Sequence, residues 1–235
     1  MREIVQAEQV ETRECAVFSN RKLVYFFLAR PAYRLKDGDQ KSDQINRFPS
    51  VLVIDPGRLG APFHVYPFDT GAGVSGRYGD KADPFVYLED YELDPSLQAA
   101  ARHINWAFGS NRAYFDGDLR QGLESKIDPW KAVLKGFVTI AGLASSRHND
   151  PDKRASAIEI AFDHHVTLKG NSKLIIIPKQ YMENGKNKNH EFLRRLRKLR
   201  IRWETYDWQP NLEPDFFFEE IHEIVRKNFQ ARRKL

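Results

Sequence analysis

The sequence predicts an α+β fold, a single mixed domain over residues 1–235 with a largely antiparallel or split sheet and a C-terminal helical extension. Three observations carry this. Short runs of β-favouring apolar residues recur at 21–29, 50–54, 155–162 and 173–177. Between and after them lie segments with apolar residues at helical spacing, chiefly 95–108, 129–138, 190–199 and 214–229. The two kinds are interspersed without a regular strand–helix–strand rhythm, so a doubly wound parallel sheet is not expected.

In chain order, residues 4–18 carry too weak a pattern to assign. Residues 21–29 read as a buried strand, edged by Pro31. Residues 36–46 are polar and read as a loop, before strands at 50–54 and 63–68. Residues 69–83, rich in glycine, read as a long loop, a place where function concentrates. A helix is expected over 95–108, capped by Asp94, with Leu97, Ala101, Ile104 and Phe108 on one face. Residues 108–115 read as a structural helix end, and 129–138 as a helix capped by Asp128. A polar loop at 145–154 precedes the 155–162 strand. Then come a strand at 173–177, a basic helix at 190–199, a short strand at 201–206 and a closing helix over 214–229 with Phe217, Ile221, Ile224 and Val225 on one side. Residues 20–180 form the expected catalytic core, and 186–235 the basic helix, short strand and closing helix.

Composition narrows the function. With 41% hydrophobic residues, the chain can bury a core. A single cysteine, Cys15, leaves no disulfide framework or cysteine-rich zinc site, which fits a reducing compartment. No apolar run reaches the length of a membrane span, and the first residues lack a signal-peptide pattern. A cytoplasmic protein without membrane contact is therefore expected. The net charge of +5 permits contact with nucleic acid without requiring it.

No P-loop or nucleophile elbow is present, and Gly71, Gly73 and Gly76 match a dinucleotide fingerprint in letters only. Adjacent His164 and His165 point to opposite faces of an extended chain and make a poor metal pair. Asp150, Asp152, Glu159 and Asp163, a nuclease-like set, are close in sequence alone.

Four features carry chemistry. Glu159 shares a strand face with Ala157 and Ala161, whose small side chains leave room for a ligand. It reads equally as a ligand slot or as a strand glutamate paired with lysine or arginine. Arg30, Tyr33 and Arg34 stand at a strand end and proline turn, where arginine suits phosphate and tyrosine suits stacking on a ring. Residues 64–78 offer hydroxyls and aromatic surface, notably Thr70, Ser75 and Tyr78. The basic run Lys186, Lys188, Arg194, Arg195, Arg197, Lys198, Arg200 and Arg202 is opposed by Glu191 alone. It reads as a solvated face, a phosphate-backbone footprint through Arg194, Arg195, Arg197 and Lys198, or a site for an acidic inhibitor protein.

Three stretches resemble the ADP-ribosyltransferase superfamily, and within it bacterial toxin or phage-defence proteins. Residues 26–34, ending Leu28-Ala29-Arg30-Pro31-Ala32-Tyr33-Arg34, resemble the early strand with a dinucleotide-binding arginine. Phe68-Asp69-Thr70-Gly71 falls where the middle hydroxyl motif would lie, with Thr70, Ser75 or Tyr78 in that role. Ser156-Ala157-Ile158-Glu159-Ile160 resembles the late strand with the catalytic glutamate. The resemblance implies an ADP-ribosyltransferase-like fold and an enzyme that consumes NAD. Glu159 would be its catalytic carboxylate, and Arg30, Tyr33, Arg34, Thr70, Ser75 and Tyr78 would bind NAD. The chain departs from the family in lacking a Ser-Thr-Ser triplet and a His-Gly-Thr opening. Alanine at 157 removes the Glu-x-Glu pair of arginine-modifying members. Arginine then becomes a less favoured acceptor, and the basic helix suits RNA or DNA, with protein still open as the acceptor. The other reading is a non-enzymatic protein that binds nucleic acid or a partner through residues 186–202.

Overall fold

The computed structural model describes residues 1–33, 44–79, 85–145, 151–183 and 188–232. The α+β class holds. In chain order the strands are β1 (Gln9–Val10), β2 (Arg13–Glu14), β3 (Lys22–Phe27), β4 (Val51–Ile54), β5 (His64–Tyr66), β6 (Glu159–Phe162), β7 (Val166–Thr167), β8 (Ser172–Pro178) and β9 (Arg202–Tyr206). The helices are α1 (Arg2–Ala7), α2 (Thr70–Val74), α3 (Leu97–Ala107), α4 (Asn111–Asp116), α5 (Ala132–Gly142), α6 (Gln180–Glu183), α7 (Lys188–Lys198) and α8 (Phe218–Ala231). The residues group into two compact units. The first comprises Met1–Thr12, Leu35–Gly60 and His164–Ala231, and the second Arg13–Arg34, Ala61–Asp163 and Arg232–Leu235.

In the first unit β8 lies between β4 and β9. It pairs antiparallel with β4 and parallel with β9, in register from Leu174↔Arg202 to Pro178↔Tyr206. A parallel pair needs a crossover, and the chain through α6 and α7 supplies it. The central position of β8 explains its unbroken apolar run, with Leu174, Ile175, Ile176 and Ile177 all buried. Helix α7 has charged residues on one side and buries Phe192 and Leu196 on the other. These pack with Val5, Leu168, Ile175 and Ile177. The stretch expected as a C-terminal extension thus contributes β9 to this sheet. The closing helix is preceded by a 3-10 turn, Pro214–Phe217, and buries Ile221, His222 and Val225 while Ile224 stays half-buried.

In the second unit the strand order is β2-β3-β6-β5, antiparallel throughout. Helix α3 begins two residues after the expected start because Ser96 caps it, its hydroxyl accepting from Ala99 N–H at 3.1 Å. Its buried residues are Ala99, Ala100, His103, Ile104 and Ala107; of the expected face, Ile104 and Phe108 are buried, Leu97 is half-buried and Ala101 is exposed. Residues 111–116 form a helix of their own, capped by Ser110. Helix α5 starts at Ala132 rather than 129, since Asp128 instead closes a turn with Lys131 N–H. Gly136 lets the Tyr91 hydroxyl approach α5 closely, where a Cβ would collide with it.

Candidate functional site

The strand expected over 155–162 begins only at Glu159. Residues 153–156 form a 3-10 turn instead, because the Asp152 carboxylate caps it and accepts from Arg154 N–H. Beyond that turn, β6 is the inner strand between β3 and β5. Glu159 pairs with Phe27 on one side and Tyr66 on the other. Tyr114 extends this ladder by one rung. Its hydroxyl donates to Leu28 O at 2.9 Å and accepts from Ile158 N–H at 3.0 Å.

Glu159 is buried, with 6% of its surface exposed. Among the described residues no lysine or arginine pairs with it, although the sequence had allowed one. Thr70 is its hydrogen-bond partner: the hydroxyl donates to Oε1 at 2.6 Å and the N–H at 3.4 Å. Burial pushes the carboxyl up to about 7, against the Thr70 hydrogen bond, with Asp69 adding to the rise. Burial also raises the phenols of Tyr25, Tyr66 and Tyr78, each of which feels the Glu159 charge.

Thr70 is delivered by a helix where the glycine content predicted a loop. Asp69 caps α2, its carboxylate accepting from Ala72 N–H at 2.9 Å. Arg154 reaches the same carboxylate at 3.7 Å while holding Asp152 through two bonds of 3.0 and 2.7 Å. Tyr78 is buried and donates to Asp69 O at 3.3 Å. Glu159, Thr70 and Tyr78 are therefore brought together. Ser75 is not: it is exposed, and its hydroxyl donates to Ala72 O.

Arg30 departs from the expected ligand clamp. Ala29 before it takes left-handed backbone (φ 59°), which turns the chain at the end of β3. The guanidinium is buried and donates to Tyr114 O at 2.6 Å, Lys153 O at 3.2 Å and Ser156 Oγ at 2.5 Å. It also lies over the Tyr114 ring at 4.9 Å. Its donors face inward, onto the turn that leads to Glu159. Tyr33 is half-buried, and Arg34 lies outside the described residues.

In the first unit, Arg195 bonds Glu191 at 2.9 Å and Gln6 O at 3.3 Å, and Lys198 reaches Glu8 at 3.4 Å. Arg197 lies over the Trp203 ring at 5.6 Å, and Arg194 is exposed. Among the described residues no group of three or more His, Cys, Asp or Glu is placed to hold a metal ion. No described helix is long and apolar enough to cross a membrane.

Sequence reasoning missed Tyr114, Arg154 and the pair His64 and Glu92, whose imidazole Nδ1 and carboxylate lie 2.6 Å apart. The Asp152-x-Arg154 spacing and the alternation of His64 with Tyr66 were visible signals. Their partners, up to 85 positions away in the case of Asp69 and Arg154, were not. Comparison with protein-family models, curated proteins and solved structures returned no significant match.

Proposed function

We propose that the second unit is an NAD-dependent ADP-ribosyltransferase with Glu159 as its catalytic carboxylate. One observation carries the reading: a buried glutamate on an inner strand is met by a threonine hydroxyl rather than a cation. A carboxylate out of water without a counter-charge costs free energy, and such groups cluster at functional sites. Release of nicotinamide leaves positive charge at the ribose carbon. Glu159, in a site of low dielectric, is suited to stabilise that charge. Thr70 fixes the rotamer of the carboxylate through Oε1. The donor set fits a ribose better than a pyrophosphate, because the Arg30 guanidinium is engaged by the protein itself. In this reading Arg30 supports the site from within, and Tyr78 and Thr70 belong to its wall.

The test is nicotinamide release from labelled NAD. Glu159→Gln is expected to lower it by about 100-fold or more, the usual scale for losing one transition-state charge contact. Its urea midpoint should not fall. Turnover equal to wild type in the folded variant would refute the assignment.

A further inference from the structure

His64 and Glu92 form a second polar pair in the same unit, apart from Glu159 and Thr70. The His64 Nδ1 lies 2.6 Å from Glu92 Oε1. The chain docks Glu92 there, since Leu93 N–H donates to Val65 O at 2.9 Å and bridges to β5. The imidazole is clamped on two sides. It stacks on Phe18 at 4.3 Å and meets the Phe63 ring edgewise at 4.3 Å. Among the described residues its Nε2 has no hydrogen-bond partner. A ring held in one orientation, with a carboxylate on one nitrogen and the other left to accept, is the arrangement of an oriented general base.

Strand register puts this pair beside Glu159. Residues directly opposed in a sheet project from the same face. Tyr66 opposes Glu159 and His64 opposes Ala161, so His64 and Glu159 are diagonal neighbours on one face. Diagonal neighbours lie roughly 7–8 Å apart, a span suited to a sugar-sized group. The Tyr66 hydroxyl lies 3.5 Å from Glu92 Oε2, tying Glu92 to the residue that opposes Glu159. Ala161, opposite His64, leaves that part of the face low.

We propose that His64, oriented by Glu92, is the general base that deprotonates the acceptor in the transfer reaction. The inference rests on the reading of Glu159 as an ADP-ribosyltransferase carboxylate. In the step, the lone pair of an acceptor X–H forms the bond to the ribose carbon. The electron pair of the broken glycosidic bond leaves with nicotinamide. The X–H proton passes to His64 Nε2, and Glu92 balances the imidazolium. Glu92 is a positioning residue, since it acts through His64.

Labelled NAD is incubated with wild type, His64→Gln, Glu92→Gln and Glu92→Asp, first in buffer and then with mixed protein, RNA and DNA. Nicotinamide release and label transfer are read separately. His64→Gln is expected to lose about 100-fold or more of transfer while slow release in buffer persists. Glu92→Gln should lose less, and Glu92→Asp should recover part of it. Transfer equal to wild type in folded His64→Gln, or equal loss of release and transfer, overturns the base and leaves the NAD reading intact. Absence of NAD turnover by the wild type overturns that reading and the proposal with it. Nitrogen-15 NMR at alkaline pH gives a readout free of turnover. His64 should be the Nδ1–H tautomer in wild type and should lose that preference in Glu92→Gln. An Nε2–H tautomer in wild type overturns the proposal whatever the turnover.

Discussion

Glu159 shows how one side chain couples stability to pH. Its carboxyl is raised from an ordinary value of 4.5 to about 7 by burial. A carboxyl raised on folding favours the folded state while it is protonated. That contribution is complete below pH 4.5 and is lost as pH rises through 7. Glu159→Gln keeps the shape and removes the titration. Its stability relative to wild type should rise between those limits and level off above pH 7 at roughly 3 kcal/mol. Urea unfolding at several pH values measures this, and a difference that does not change with pH would contradict the burial. Sequence alone showed a carboxylate among apolar residues. It did not show whether a cation or a hydroxyl would meet it, since Thr70 is 89 positions away.

At the scale of elements, side chains reinforce the junction between β3 and β6 beside the backbone bond from Leu28 N–H to Ile158 O. The Tyr114 hydroxyl bonds both Leu28 O and Ile158 N–H, and its ring lies beneath Arg30. Arg30 then fastens the α4 carbonyl of Tyr114 to the turn at Ser156. Tyr114→Phe leaves the buried Ile158 N–H without its bond, while Leu28 O keeps the one from Arg30 N–H. It should cost about 1–3 kcal/mol in chemical denaturation. A cost below about 0.5 kcal/mol would show that the junction does not depend on the hydroxyl. Helix boundaries here were set by capping residues that the sequence pattern did not single out, as at Ser110, which opens a helix in a stretch expected to be a helix end. The same holds for Ser96, which caps α3 in place of the expected Asp94, and for Asp69, which caps a helix in a glycine-rich stretch expected to be a loop.

At the scale of the molecule, chemistry separates between the units. The second holds Glu159, Thr70, Tyr78 and the His64–Glu92 pair, and the first holds the basic helix α7. If α7 contacts a nucleic-acid backbone, affinity for RNA or DNA should fall steeply with salt, and each lost phosphate contact should lower the slope by about 0.7–0.9. Arg194 and Arg197, exposed and without an acidic partner among the described residues, should matter more than Arg195 and Lys198, which already bond Glu191, Gln6 and Glu8. Filter binding of charge-neutralised variants over a salt series checks this, and binding that ignores salt would exclude the contact.

The sequence by itself determined the α+β class, the inner strand β8 and the amphipathic helix α7, because apolar periodicity is local and survives without knowledge of neighbours. It also marked Glu159, since a charge within an apolar run is conspicuous in any fold. Only the tertiary structure decided that Arg30 points inward, that Thr70 rather than Ser75 meets Glu159, and that His64 is clamped by Glu92. Each of these depends on bonds between residues 28 to 126 positions apart, set by strand register and burial rather than by any neighbouring residue.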